Sequence, residues 1–159
     1  PVGAVAGRAD VMSVFESVGE ARAAVPSGGT FTANPVTMVA GVACMRQLDT
    51  DAFVRLNEIG EAVRYGLREN FETRGLPWQV TGAGSLFRIH PHQRPIRNYR
   101  DTHHSSDEAV TMATFQHRLL EREVYFSGYG MGCLNLATTE DDIAHLLGAV
   151  EEALDVLTR

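Results

Sequence analysis

Apolar positions recur every three or four residues along one stretch: Phe53, Leu56, Ile59, Val63, Leu67 and Phe71 form a continuous stripe. That spacing predicts a long helix beginning at Asp49 or Thr50 and stopped by Arg74-Gly75-Leu76-Pro77. Its opposite face carries Arg55, Glu58, Glu61, Arg64, Arg68 and Glu69, read as a solvated surface. Upstream, residues 2–8 predict a short apolar strand, 10–15 a helical turn and 16–29 a loop. Residues 35–48 predict a helix rich in small residues. Downstream the period changes. Residues 78–81 and 85–90 alternate as strands around Gly82-Ala83-Gly84, and 91–106 read as an exposed, mobile polar loop. An amphipathic helix follows over 107–122, a strand over 124–127, a glycine loop over 128–132 and a strand over 133–136. A last helix runs to about Leu157, capped by Thr138 or Thr139 with Asp141 or Asp142 three residues on. Residues 77–159 therefore predict a β-β-α-β-β-α unit, two helices on one face of a small, mostly antiparallel sheet. Residues 1–48 have one strand and two helices and no sheet to bury them against.

Composition narrows the function classes. The chain has 159 residues, 44% hydrophobic and 21% charged, as expected of a globular protein. A net charge of −6 without a basic stripe argues against a nucleic-acid footprint. The apolar runs are shorter than a membrane span and no secretory signal is visible, so no membrane role is expected and the cytoplasm is the expected compartment. Two cysteines, Cys44 and Cys133, fit a reducing setting. All 14 basic residues are Arg, so no side chain here can form a Schiff base through a lysine amine. The abrupt apolar start at Pro1 reads as the carboxy-terminal piece of something longer.

Candidate chemistry centres on Gly28-Gly29-Thr30-Phe31-Thr32-Ala33-Asn34-Pro35. Paired glycines permit close backbone approach, the threonines supply hydroxyls, and Asn34-Pro35 opens a helix. A glycine turn leading into a helix N-terminus can hold an anion; equally, many such turns are only turns. Other candidates read as ordinary structure. The pairs His90/His92 and His103/His104 lack an evident carboxylate partner for a metal site. Arg88 sits on an alternating strand, toward an acidic substrate or toward solvent. Cys44 reads as core, and Ser127 lacks a nucleophile elbow.

Four segments occur in a familiar order: Pro1-Val2-Gly3-Ala4-x-x-Gly7-Arg8-Ala9-Asp10-Val11-Met12; Gly29-Thr30-Phe31-x-x-Asn34-Pro35-x-Thr37-Met38-x-Ala40-Gly41; Leu119-x-x-Arg122-x-Val124-Tyr125; and Leu136-Ala137-x-Thr139-x-x-Asp142-Ile143. Together, over essentially the whole chain, they resemble class III pyridoxal-phosphate (PLP) aminotransferases, in the branch of glutamate-1-semialdehyde 2,1-aminomutase. The resemblance implies an α/β fold, the PLP-dependent transferase fold type I. Residues 1–48 would end the large PLP-binding domain, 49–76 would be the connecting helix, and 77–159 the carboxy-terminal small α+β domain. It implies pyridoxal 5'-phosphate as cofactor, a homodimer, and a small-molecule amino acid substrate. The Schiff-base Lys would lie a few residues before Pro1, in an amino-terminal part of the same polypeptide, leaving this chain inactive alone. Carried over residue by residue, Thr30 binds the cofactor phosphate of the other subunit, with Gly29 and Phe31 helping.

One departure bears on the reaction. The aminomutases carry a longer, Glu-containing loop where this chain has Ser127-Gly128-Tyr129-Gly130-Met131-Gly132. The shorter loop resembles β-amino-acid (β-phenylalanine-type) aminotransferases, some of which place a carboxylate-binding Arg where Tyr129 stands. Tyr129 is accordingly a candidate at the substrate entrance. The reading from a different class is a non-catalytic small-molecule-binding or dimerisation module built on 77–159.

Overall fold

A computed structural model describes residues 3–19 and 21–157. The chain divides into two compact units, Pro1–Asp49 and Thr50–Arg159.

The first unit holds α1 (Ala9–Met12), a 3-10 turn (Ser13–Phe15) and α2 (Pro35–Met45). Asn34 caps α2 as its sequence predicts: Oδ1 accepts from the N–H groups of Val36 at 3.0 Å and Thr37 at 3.2 Å, and Pro35 takes the first turn. The predicted strand over 2–8 does not form among the described residues: Gly3–Arg8 has no ladder partner, Val5 is exposed, and Pro1 and Val2 lie outside the described residues. Only Gly41 is buried among the described residues of this unit. Cys44, expected in a core, is exposed, as is Cys133, and both are free thiols.

The second unit comprises α3 (Thr50–Thr73), β1 (Gln79–Thr81), β2 (Leu86–His90), α4 (Ser106–Leu120), β3 (Met131–Cys133) and α5 (Glu140–Leu157). The strands form an antiparallel sheet in the order β1-β2-β3, with Val80 opposite Ile89 and Phe87 opposite Gly132. Phe87 and Ile89 point to one face, where Val63, Leu67 and Phe71 of α3, Phe115 and Leu119 of α4, and Val150 and Leu154 of α5 join them in the core. Trp78 completes the core, its ring 5.4 Å from that of Phe71 and 5.1 Å, edge-on, from that of Phe115. Two helices of this unit open on capping boxes, that of α5 predicted from its sequence and that of α4 not. Ser105 and Glu108 form a capping box on α4, and Thr139 and Asp142 satisfy each other's backbone N–H at the start of α5.

Three expectations are corrected here. Residues 124–127 are not a strand. Val124 and Phe126 are buried and Tyr125 is exposed, so the alternation is real, but no neighbouring strand supplies a ladder. The last strand is β3 at 131–133 rather than 133–136, which leaves three strands, not four, among the described residues. Arg64, predicted to lie on the solvated face of α3, is 6% exposed. Its Nη1 donates to the carbonyls of Gly84 at 2.7 Å and Leu86 at 2.9 Å, and its Nε and Nη2 hold Glu61. It fastens α3 to the β1–β2 turn. That junction is so close that a Cβ on Gly60 would stand 1.9 Å from the Gly84 carbonyl oxygen, so only glycine fits there.

Candidate functional site

The Gly29–Asn34 turn is built by two backbone hydrogen bonds, Thr32 N–H to Gly29 O at 3.0 Å and Asn34 N–H to Phe31 O at 3.2 Å. Ala33 carries the turn through φ 54°, a left-handed conformation uncommon for a residue with a Cβ. Gly29, Thr30 and Phe31 thereby line one open cleft of about 590 Å³, together with Met12, Phe15 and Thr37. The cleft is neutral. Its described lining includes the hydroxyls of Ser27, Thr30, Thr32 and Thr37 and contains neither a carboxylate nor a cationic side chain. Thr30 and Phe31 are exposed. Among the described residues, no hydrogen bond within the chain engages the Thr30 hydroxyl.

The helix N-terminus contributes less than its sequence suggests. Pro35 has no N–H, Asn34 takes those of Val36 and Thr37, and the N–H of Met38 donates to Asn34 O at 2.9 Å. The first amides of α2 are therefore spent internally. An anion at this turn would draw on side-chain hydroxyls and on the turn's own backbone.

Tyr129 belongs to the second unit. It is 70% exposed on the turn before β3. Its carbonyl accepts from Arg88 Nε at 3.1 Å, and the Arg88 Cζ stands 6.0 Å from its ring centroid. Arg88 is half-buried on β2, flanked across the ladder by Met131 and Thr81.

The histidines are where residue-type reasoning falls short. Most of the segment after β2 is exposed, as expected, but its start is not. His90 is fully buried and His92 is 4% exposed. The rings of His90 and His92 are 5.7 Å apart, and those of His92 and His104 are 6.3 Å apart. Thr81 Oγ1 bonds His90 Nε2 at 2.9 Å, while His90 Nδ1, His92 Nε2 and His104 Nε2 are buried without a partner. Arg94 pairs with Glu108 beside them and ties the loop to α4. Burial, with Arg88 next, lowers the His90 imidazole from 6.5 to about 4. Burial also lowers His92 and His104. Glu108 is held down to about 2, chiefly by Arg94. Among the described residues, no group of three or more His, Cys, Asp or Glu is arranged to hold a metal ion. Period gives no signal for this: His90 and His92 continue the face of Leu86 and Arg88, which is exposed or half-buried, so their burial is set by the loop and α4 packed over them.

Comparison with known proteins places this geometry in context. The chain is 34% identical, over 158 residues, to a glutamate-1-semialdehyde 2,1-aminomutase of Methanothermobacter thermautotrophicus, which covers 99% of this chain and 36% of the relative. Its fold matches an omega-transaminase from Sphaerobacter thermophilus with TM-score 0.81 at 40% identity, covering 94% of this chain and 34% of the other. It also matches a transaminase with PLP bound, TM-score 0.77 at 33% identity, covering 96% and 34%. A β-phenylalanine aminotransferase from Variovorax paradoxus matches with TM-score 0.76 at 31% identity, covering 94% and 34%. No family model matches the chain. The chain spans just over a third of the length of the curated relatives it matches. No helix among the described residues is long and apolar enough to cross a membrane.

Proposed function

From a chain related over its whole length to the glutamate-1-semialdehyde 2,1-aminomutases, and sharing its fold with transaminases, we propose that it is part of a PLP-dependent enzyme. That enzyme moves an amino group on an amino acid or semialdehyde substrate. The observation that carries the reading is the Thr30 turn: a free, exposed hydroxyl on a neutral cleft with four hydroxyls and no carboxylate to repel an anion. Those residues fit a phosphate ester. The Thr30 hydroxyl donates to a phosphate oxygen, the turn at Gly29 and Phe31 lets the backbone approach it, and the exposed Phe31 ring shields that contact from water. When bound, PLP supplies an electron sink for the bonds at the amino-bearing carbon.

The anchoring Lys has no counterpart in this chain, which contains no lysine. Its place is in the remainder of the full-length protein, and the chain alone is expected to catalyse no transfer. The subunit works as a homodimer, with Thr30 serving the phosphate held mainly by the partner subunit. Support comes from α2, whose Val36, Val39, Val42 and Met45 are 78%, 71%, 52% and 60% exposed, a surface that needs cover. Residues 1–48 end the large domain, 49–76 connect, and 77–159 form the small domain.

The test is the full-length protein with PLP, an amino donor and a keto acceptor. Amino transfer is expected, with the Thr30→Val variant binding PLP about 10- to 100-fold more weakly, since a hydrogen bond to a charged group is worth about 1.5–3 kcal/mol. Thr30→Ser retains most of the affinity. Unchanged PLP affinity in Thr30→Val refutes the assignment. A second reading, β-amino-acid aminotransfer rather than 2,1-aminomutation, is favoured by the acid-free 127–132 turn. Glutamate-1-semialdehyde as sole substrate separates the two.

A further inference from the structure

The second unit treats its arginines in two ways. Seven of the ten described, Arg64, Arg68, Arg74, Arg94, Arg97, Arg118 and Arg122, pair with carboxylates. Arg55 and Arg100 do not, and both are exposed to water, which solvates them. Arg88 alone among the described arginines of this unit is half-buried without a carboxylate partner. Holding a cation partly out of water without a counter-ion costs free energy that a surface arginine avoids.

Its surroundings explain neither the cost nor the position. The Nε donates to the Tyr129 carbonyl, and the Tyr129 ring stands beside the guanidinium. These contacts fix the plane and leave the Nη1/Nη2 edge without a hydrogen-bond partner among the described residues, and that fork matches a planar carboxylate with two parallel hydrogen bonds. Leu86 on the same strand face, Met131 opposite on β3, and Tyr129 are 47%, 49% and 70% exposed. The fork is thus framed by accessible hydrocarbon. The neighbouring His90 and His92 are buried and His104 half-buried; burial lowers all three, with Arg88 a further cause for each and Glu108 opposing it at His92 and His104.

We propose that Arg88 is a specificity residue that binds the carboxylate of an organic acid substrate, with Leu86, Met131 and Tyr129 receiving its hydrocarbon body. This rests on the amino-transfer reading for the word substrate, and on the Arg88 environment for the carboxylate. The same chemistry has a second source, an acidic side chain elsewhere in the protein, and the experiment separates them.

Full-length wild type, Arg88→Gln and Arg88→Lys are titrated calorimetrically with 3-phenylpropanoate and its neutral amide, neither of which is turned over. Arg88→Gln is expected to weaken the acid at least tenfold and leave the amide unchanged, with Arg88→Lys between. In turnover with β-phenylalanine as donor, Arg88→Gln is expected to raise KM at least tenfold with kcat within about twofold. KM for 1-phenylethylamine, which lacks the carboxylate, should not move. Equal binding of acid and amide by the wild type overturns the proposal. So does an Arg88→Gln variant that loses thermal stability while keeping its preference for the acid, because the counter-ion is then a side chain of the protein. If the wild type shows no amino transfer, the functional reading fails, and the calorimetric arm still decides the role of Arg88.

Discussion

Acid should loosen the second unit before its carboxylates begin to titrate, and His90 sets the scale. Its imidazole is fully buried, holds Thr81 through Nε2, and has Nδ1 without a partner. Arg88, His92 and His104 face it, and the Arg94–Glu108 pair lies beside His92. Burial and then Arg88 lower it from 6.5 to about 4. A depressed imidazole binds its proton more readily unfolded than folded. The unfolded chain therefore takes up protons first, and stability falls as pH drops below 6.5, down to about 4 where the folded form titrates too. Each pH unit between those two titrations is worth about 1.4 kcal/mol, so the full loss is about 3 kcal/mol, of which about 2 kcal/mol falls between pH 7 and pH 5. His92 and His104, lowered in the same direction, add to it. Glu108, held down to about 2, begins to contribute only below the ordinary carboxylate value of 4.5, so the upper window isolates the histidines. Trp78, the single tryptophan, is buried against Phe71 and Phe115 and reports unfolding of this unit. Urea unfolding followed by its fluorescence at pH 7 and pH 5 gives the slope, and His90→Phe removes one titrating site. The variant should lose about 2 kcal/mol less than the wild type across that interval. Parallel pH dependences in the two proteins would refute the argument, whatever the variant's stability at pH 7.

Two further substitutions test the α3 junction with the same urea assay, and a third, at Arg68, is their control. Gly60→Ala gains about 1 kcal/mol of helix propensity, but its Cβ meets the Gly84 carbonyl oxygen, and overpacking against backbone costs about 1–3 kcal/mol. A net loss is expected; a net gain shows that the turn shifts freely. Arg64→Met keeps the packing of the stem but deprives the Gly84 and Leu86 carbonyls of a charged donor, with an expected loss of about 3 kcal/mol. Arg68→Met, which loses only an exposed pairing with Glu61, should change stability by less than about 1 kcal/mol.

How far the chain could be read from residue order depends on whether neighbours along the chain or across the fold decide a feature. The Asn34-Pro35 cap, the Thr139/Asp142 box and the α3 stripe are local, and each is visible at its own spacing. Arg64 is not: five charged neighbours on the same face are solvated in the ordinary way, and only the approach of the 84–86 turn distinguishes it. Val124 and Phe126 alternate inward as a strand would, but a strand is defined by its partner, and none lies alongside. The candidate phosphate turn was legible as residues and as a turn. Its charge balance was not, because Asn34 consumes the amides that a free helix end would offer.

The binding proposed at that turn would be coupled to assembly. The second unit buries a continuous apolar core from α3, β2, α4 and α5, whereas the first buries only Gly41 among its described residues and leaves the apolar face of α2 open. The proposed phosphate turn is carried by the unit with little core of its own. On that proposal Thr30 would be preorganised by whatever covers α2, and ligand affinity and coverage of that helix would be linked: whatever stabilises one stabilises the other. A hydroxyl donor on an unsupported turn would lose to conformational entropy what it gains from one hydrogen bond. A neutral cleft lacking any cation likewise leaves compensation of the phosphate charge to residues outside this chain or in a second copy. On the proposed reading the turn is one wall of a shared site, specific in shape and hydrogen bonding, with the charge supplied from elsewhere.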